Sequence, residues 1–431
     1  MAEAAARLTM GERIHLTFSS LKVRNYRLYF IGQTISLCGT WMQGVAMGLL
    51  VLRLTGSGTV LGVVFALQFA PILLLAPYGG LLAGRFSKRK MLLLTQSAAG
   101  ILALVLGALV VTGSVRLWMI YVLALVLGIV NAIDNPIRQT FVHELVGHSL
   151  LGNALSLNAI IVNLSRVIGP ALAGVVAAQF GLGPCFIANG LSFGAVLACL
   201  FMMRDRELLK AKPVPAAKGQ LREGFAYAWK TPLVRDVLVM MTLVGTLSYE
   251  FMVSLPLLAH ITFHGTEAAV DGEVGLLMAM MGVGAVVGGL VTAGRRGGAL
   301  SGLAKGALGF GVAMALVALA PTLGWAAAAM AIVGYFSVTF TAGTNTILQT
   351  VSAPRMRGRV MALWAMAFMG TTVFGAPIVG WIGQNIGPRW GLAIGAAASV
   401  GAAVLGWRSA RAHAAAAAAL PAPGLPSEEP A

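Results

Sequence analysis

Long apolar runs alternate along the chain with short polar strips, and the runs have the length of membrane spans. About 20 apolar residues cross a hydrocarbon core. Runs of that order lie at 28–52, 59–82, 91–112, 116–136, 154–179 and 182–203, and again at 235–259, 273–294, 301–320, 323–350, 359–384 and 388–408. One long polar interval separates the two sets, a Pro/Ala linker followed by a stretch that predicts an amphipathic helix. The pattern predicts an all-α polytopic membrane protein of twelve transmembrane helices. Its parts are an N-terminal segment 1–27, a first six-helix bundle 28–203, a linker 204–234, a second bundle 235–408 and a tail 409–431. The tail is Ala/Pro-rich with nothing to bury, so it is expected to be disordered.

The two sets resemble each other. Phe18 pairs with Phe225, Arg27 with Arg235, Gly79-Gly80-Leu81 with Gly288-Gly289-Leu290, Leu157 with Leu363 and Pro170 with Pro377, each pair roughly 207 positions apart. Such a constant offset predicts a duplication. Because six spans return the chain to its starting face, both repeats enter the membrane the same way and are parallel.

Composition excludes a soluble chain. Hydrophobic residues make up 58% and charged residues 10%, where soluble domains have about 45–50% and 25%, and the mean hydropathy is +0.85. The net charge of +16 would suggest nucleic acid in a soluble protein, but here it lies in strips between spans without interleaved aromatics. No nucleic-acid partner is expected. Of the 30 Lys and Arg residues, all but Arg53, Arg116, Arg166 and Arg389 fall on the face of the N-terminus. The positive-inside rule then predicts that both termini are cytoplasmic. No signal-peptide core precedes Leu28. Cys38, Cys185 and Cys199 lie in apolar runs without metal-ligand spacing, which predicts buried thiols.

Four stretches carry a family resemblance: NYRLYFIGQ (25–33), LTGSGTVLG (54–62), IDNPIRQTFVHELV (133–146) and NALSLNAIIVNLSRVIGPALAG (153–174). With them the chain resembles the major facilitator superfamily, and within it the exporter branch that includes enterobactin exporters and macrolide efflux proteins. The resemblance implies a secondary transporter in which spans 1, 4, 7 and 10 line a central cavity. The superfamily's loop 2-3 motif stands here as GLLAGRFSKRK, with Gly80, Arg85, Arg89 and Lys90 present and Gly84 where the family has a carboxylate. By resemblance this is a gate between the halves; read plainly it is a topology signal. Gly169-Pro170 and Gly174 partly match the antiporter motif, and plain helix packing also explains them.

Polar residues in hydrocarbon are costly and therefore mark candidate sites. Gln33, Ser36, Thr40 and Gln43 form one stripe on span 1, facing either the cavity or a neighbouring helix. Asn131, Asp134 and Arg138 align near the end of span 4, where an Asp–Arg pair can be structural or functional. Span 10 offers Tyr335, Thr339, Asn345 and Gln349. Arg166, near mid-membrane, can hold an anionic substrate or pair with a carboxylate such as Asp134. Glu250, with Ser248 and Tyr249 beside it, lies about 22 Å into a core of about 30 Å. It is the expected proton-coupling or cation-recognising group; the plain alternative is a carboxylate at the mouth that meets water. Apart from Asp134 it is read as the one acidic residue within a span.

Enzyme signatures fail. HELVGH (143–148) spaces its histidines five apart instead of the four a zinc site needs. GVGAVVGG (282–289) lacks dinucleotide spacing and lies in a span, and no Gly-rich loop carries a Walker lysine. No cofactor and no metal are expected. The function expected is proton-coupled export, by a monomer, of a small amphipathic molecule such as a siderophore or drug, with import of a small solute or a non-transporting membrane sensor or assembly partner as alternatives.

Overall fold

The computed structural model describes residues 18–209, 220–263, 266–293 and 300–418, without the side chains of 76–85, 148, 220–221, 293 and 416–418. The twelve expected spans are all helices. In the first half they are α1 (Arg24–Thr55), α2 (Gly58–Arg85), α3 (Lys88–Val111), α4 (Leu117–Gly147), α5 (Ser149–Phe180) and α6 (Gly183–Met202). In the second they are α7 (Pro232–Phe263), α8 (Glu267–Thr292), α9 (Leu300–Leu319), α10 (Leu323–Val351), α11 (Arg357–Asn385) and α12 (Pro388–Ala415). Among the described residues there are no strands, as hydrocarbon demands of a chain that does not close a barrel. The protein is thus two parallel six-helix repeats with the major facilitator fold.

Local chemistry sets the helix ends. Pro184, Pro232 and Pro388 stand in the first turn of their helices, where a missing N–H costs nothing. Gly56, at φ 60°, ends α1 in the left-handed conformation that glycine adopts freely. Gly147, at φ 69°, alone divides α4 from α5. The Ala-rich stretch after 408 continues α12's helix to Ala418, beyond the expected boundary, because alanine has the best helix propensity.

The halves meet through α2 against α11 and α5 against α8, two interfaces that the repeat relates to each other. Both depend on missing side chains. A Cβ on Gly62 would run into the Ala376 carbonyl, and one on Gly275 would lie 2.7 Å from the Gly174 Cα. On the face away from the termini, the far face, polar bonds add to this packing. Arg53 Nη2 reaches both Asp271 oxygens, at 2.6 and 2.5 Å. The Ser57 hydroxyl and the Thr59 N–H and hydroxyl all donate to Gln384 Oε1. Among the described residues, every ion pair that joins the two halves is at this far face.

Two spans are interrupted. The first part of α7 (Pro232–Leu247) stops, Ser248–Glu250 leave the helix, and Phe251–Leu258 resume it. In α11 a π-turn occupies Met366–Gly370. The breaks lie side by side, since a Cβ on Gly245 would strike the Ala367 carbonyl. Such interruptions in hydrocarbon are tolerated where backbone lines a cavity or is buried in protein.

Helix α8 starts at Glu267, ahead of the expected 273, so Glu250 and Asp134 are not the only acidic residues within spans: Asp271 and Glu273 lie in α8. Glu144, near the end of α4, is a further one. Their polarity hid the helix start, but Arg53 neutralises Asp271 and allows its complete burial. In the linker, the helix Gln220–Lys230 docks on the second half through an Arg359–Glu223 pair at 2.6 Å and the Ala353 N–H donating to the Tyr227 hydroxyl. The basic linker residues Lys212 and Lys218, expected on the cytoplasmic side with the termini, lie outside the described residues.

Candidate transport site

A cavity of about 280 Å³ lies between the halves. Helices α1, α2 and α5 of the first half and α7, α8, α10 and α11 of the second contribute to its wall. Two charged residues face it, Arg166 from α5 and Glu250 from the break in α7. Glu250 is 4% exposed, so it belongs to the cavity wall and not to a water-filled mouth. Leaving the helix at Ser248–Glu250 turns this carboxylate inward, with the Thr372 hydroxyl against it. Its Oε1 is buried without a hydrogen-bond partner.

Arg166 is held by an aromatic face. Its guanidinium stands 5.1 Å from the centroid of the Trp41 ring, and its Nε is buried without a partner. No ion pair joins Arg166 to Asp134 or to Glu250. Asp134 is engaged elsewhere, by Arg138 at 3.4 Å and by the Thr95 hydroxyl and the Gln96 amide at 2.6 and 2.9 Å. The expected Arg166–Asp134 alternative is therefore corrected: helix α4 turns Asp134 into its own bundle. Tyr249 is fixed by donating to the Ser337 carbonyl at 2.6 Å and by ring contacts with Phe310 and Phe368. Its ring also lines the cavity.

The span 1 stripe divides between two places. Thr40 faces the central cavity. Gln33, Ser36 and Gln43 are buried inside the first bundle, as is Asp134. There a separate polar cavity of about 110 Å³ is lined by Ser36, Gln43, Asn131, Asp134 and Arg138. Arg138 donates to Gln33 at 3.3 Å, and Asn189 donates to Gln43 at 2.6 Å. Gln68 and Thr40 line both cavities and so form the partition between them.

Tyr335 and Asn345 do not line the central cavity. The backbone of Tyr335 is where Gly288 of α8 packs, and Asn345 accepts from Gln349 at 2.5 Å on its own helix. Ser337, two residues on from Tyr335 and so on another face of α10, lines the cavity instead. Of the loop 2-3 residues, the side chains of Gly80 and Arg85 lie outside those described. Arg89 donates to the Leu200 and Phe201 carbonyls and pairs with Asp205 at 2.7 Å, so it caps the end of α6 within one half. Lys90 is exposed. Gly169 lets α5 approach Trp41 of α1, Pro170 lines the cavity and Gly174 packs across the halves against Gly275.

Several cavity residues escaped the sequence reading, among them Trp41, Gln68, Phe368 and Thr372, with Met252 and Met281. Only Gln68 carried a signal, a lone amide in an apolar run; the aromatic and Met residues look like any others in a membrane helix.

Comparison with known proteins agrees with this architecture. The profile of the transmembrane secretion effector family matches residues 15–429. The staphyloferrin A transporter of Staphylococcus aureus is 24% identical over 270 residues, covering 62% of this chain and 66% of that one, or just under two thirds of its length. The enterobactin exporter EntS of Citrobacter koseri is 26% identical over 380 residues, covering 86% and 89%. Among solved structures, a bacterial homolog of the human lysosomal transporter Spinster superposes with a TM-score of 0.66 at 14% identity, covering 90% of this chain and 96% of its own. The nucleoside transporter NupG does so at 0.68 and 13% identity, covering 92% and 99%. Because the profile spans nearly the whole chain, this protein belongs to the transmembrane secretion effector family, which are secondary transporters of the major facilitator superfamily and not enzymes.

Proposed function

We propose that this protein exports a small amphipathic molecule, of the siderophore or drug class, in exchange for protons, as a monomer in the bacterial cytoplasmic membrane with both termini in the cytoplasm. The observation that carries the reading is Glu250, a buried carboxylate with a free oxygen at the break in α7, on the wall of the cavity between the halves. A carboxylate in that position can take up and release a proton as the cavity changes sides. The relatives whose names specify siderophores, the staphyloferrin A transporter and the enterobactin exporters, support the cargo class.

The cycle follows from the contacts. With the far face closed by Arg53–Asp271 and the Gln384 bonds, the carrier loads substrate from the cytoplasm while Glu250 gives its proton to that side. Rocking of the halves about α2–α11 and α5–α8 then breaks the far-face bonds, releases substrate outward and lets Glu250 load a proton. Gly80, Arg85, Arg89 and Lys90 belong to the gate that closes the opposite face in that second state. The test is uptake by inverted membrane vesicles of a panel of siderophores and drugs under an imposed pH gradient, acid inside. Accumulation of at least one compound, abolished by a protonophore, is expected; uptake that ignores the gradient for every compound would overturn proton exchange.

A further inference from the structure

The central cavity is lined by a guanidinium and a carboxyl group that do not satisfy each other. Arg166 Nε and Glu250 Oε1 are both buried without a partner, and both residues line the same space. Each is positioned by other groups, Arg166 by the face of Trp41 and Glu250 by the α7 break, and no ion pair joins them. Leaving buried polar atoms short of partners in an apolar enclosure is costly. A molecule that offers an acceptor to one and a donor to the other recovers that cost.

The surrounding wall specifies the rest of the molecule. Phe65, Phe69 and Phe368 supply aromatic faces, and Met252 and Met281 supply polarisable, adaptable surface. These favour a flat, unsaturated body. At about 280 Å³ the cavity falls just below the roughly 300–1,000 Å³ typical of ligand sites, which limits that body in this conformation to a ring or two.

Building on the reading of this cavity as the transport site, we propose that it recognises an amphoteric aromatic molecule, its acid group on Arg166 and an amino or hydroxyl donor on Glu250. The donor and a coupled proton would then compete for the same carboxylate. Arg166 becomes the acid-recognising residue and Glu250 a specificity determinant for the opposite end of the ligand.

Three probes sharing one ring test this: benzoate, benzylamine and para-aminomethylbenzoate. Their binding to the purified full chain in lipid nanodiscs is measured by titration calorimetry at one pH, with no gradient. The amphoteric probe should bind about tenfold or more tighter than either singly charged probe, the factor that one further hydrogen bond to a charged group supplies. Arg166→Gln should erase its advantage over benzylamine, and Glu250→Gln its advantage over benzoate. The wild-type order needs no variant to fold, so it decides the matter alone. Equal affinities for the three probes, or no binding of the amphoteric one, would overturn the proposal. Such a result would leave proton exchange in vesicles untouched, because the binding measurement involves neither flux nor gradient.

Discussion

Replacing Arg53 with Ala should open the far face. Asp271 presents only 1% of its side chain to solvent and Arg53 25%, and one guanidinium nitrogen contacts both carboxylate oxygens. Breaking a buried pair from one side costs roughly 3–5 kcal/mol, mostly through the charge left behind. The partial exposure of Arg53 lowers this to about 2–3 kcal/mol. Glu267, the second partner, is 76% exposed and adds nothing that counts. When the halves part on this face Asp271 meets water, so the cost falls on the closed state alone. At about 1.4 kcal/mol per tenfold, the closed-to-open ratio should drop by roughly 30-fold to 140-fold. Spin labels at Ser114 and Thr322, exposed on far-face loops of opposite halves, with the three native cysteines replaced, would report it as a distance distribution. The wild type should show one dominant short distance, and Arg53→Ala a longer one. Arg53→Ala combined with Asp271→Ala, which removes the stranded charge, should return part of the short population. An unchanged distribution in folded Arg53→Ala would refute the latch.

Gly62→Leu should give the same lengthening by a different route, since its side chain would collide with the Ala376 carbonyl, and transport should fall at equal membrane abundance. Asp134→Ala should lower thermal stability by about 1–3 kcal/mol through the partners it strands, Thr95, Gln96 and Arg138. Binding of para-aminomethylbenzoate in the central cavity should survive that change, and its loss would show that the two cavities are coupled. Single cysteines replacing Lys218 and a residue of the C-terminal tail should be protected from a membrane-impermeant reagent in intact cells; labelling there would reverse the orientation.

Spans were legible because hydrocarbon imposes length and hydrophobicity directly, and the duplication because it preserves register. Glu250 and Arg166 were legible for the same reason, as charges too costly to be incidental. What stayed hidden is tertiary. Nothing in Ser248-Tyr249-Glu250 is a helix breaker by propensity, and the interruption of α7 shows only in the structure, beside the α11 π-turn. Asp271 reads as loop until Arg53, far away in sequence, is placed beside it. Tyr335 and Ser337 could not be ranked, because in a membrane both faces of α10 are apolar enough and only the contact with Gly288 decides which turns inward. The aromatic lining of the cavity has the composition of any buried span.

In the proposed cycle a proton carried by Glu250 drives transport through the cavity between the halves. It is tested most directly by Glu250→Gln, a substitution that keeps shape and hydrogen bonding but carries no exchangeable acid, in inverted vesicles with the compound that the wild type accumulates. Initial uptake is measured with and without an imposed gradient, acid inside, at equal protein. The wild type should respond to the gradient and lose that response with a protonophore, while Glu250→Gln should carry the compound, if more slowly, at one rate under both conditions. A Glu250→Gln variant that keeps the wild-type response to the gradient would contradict the claim.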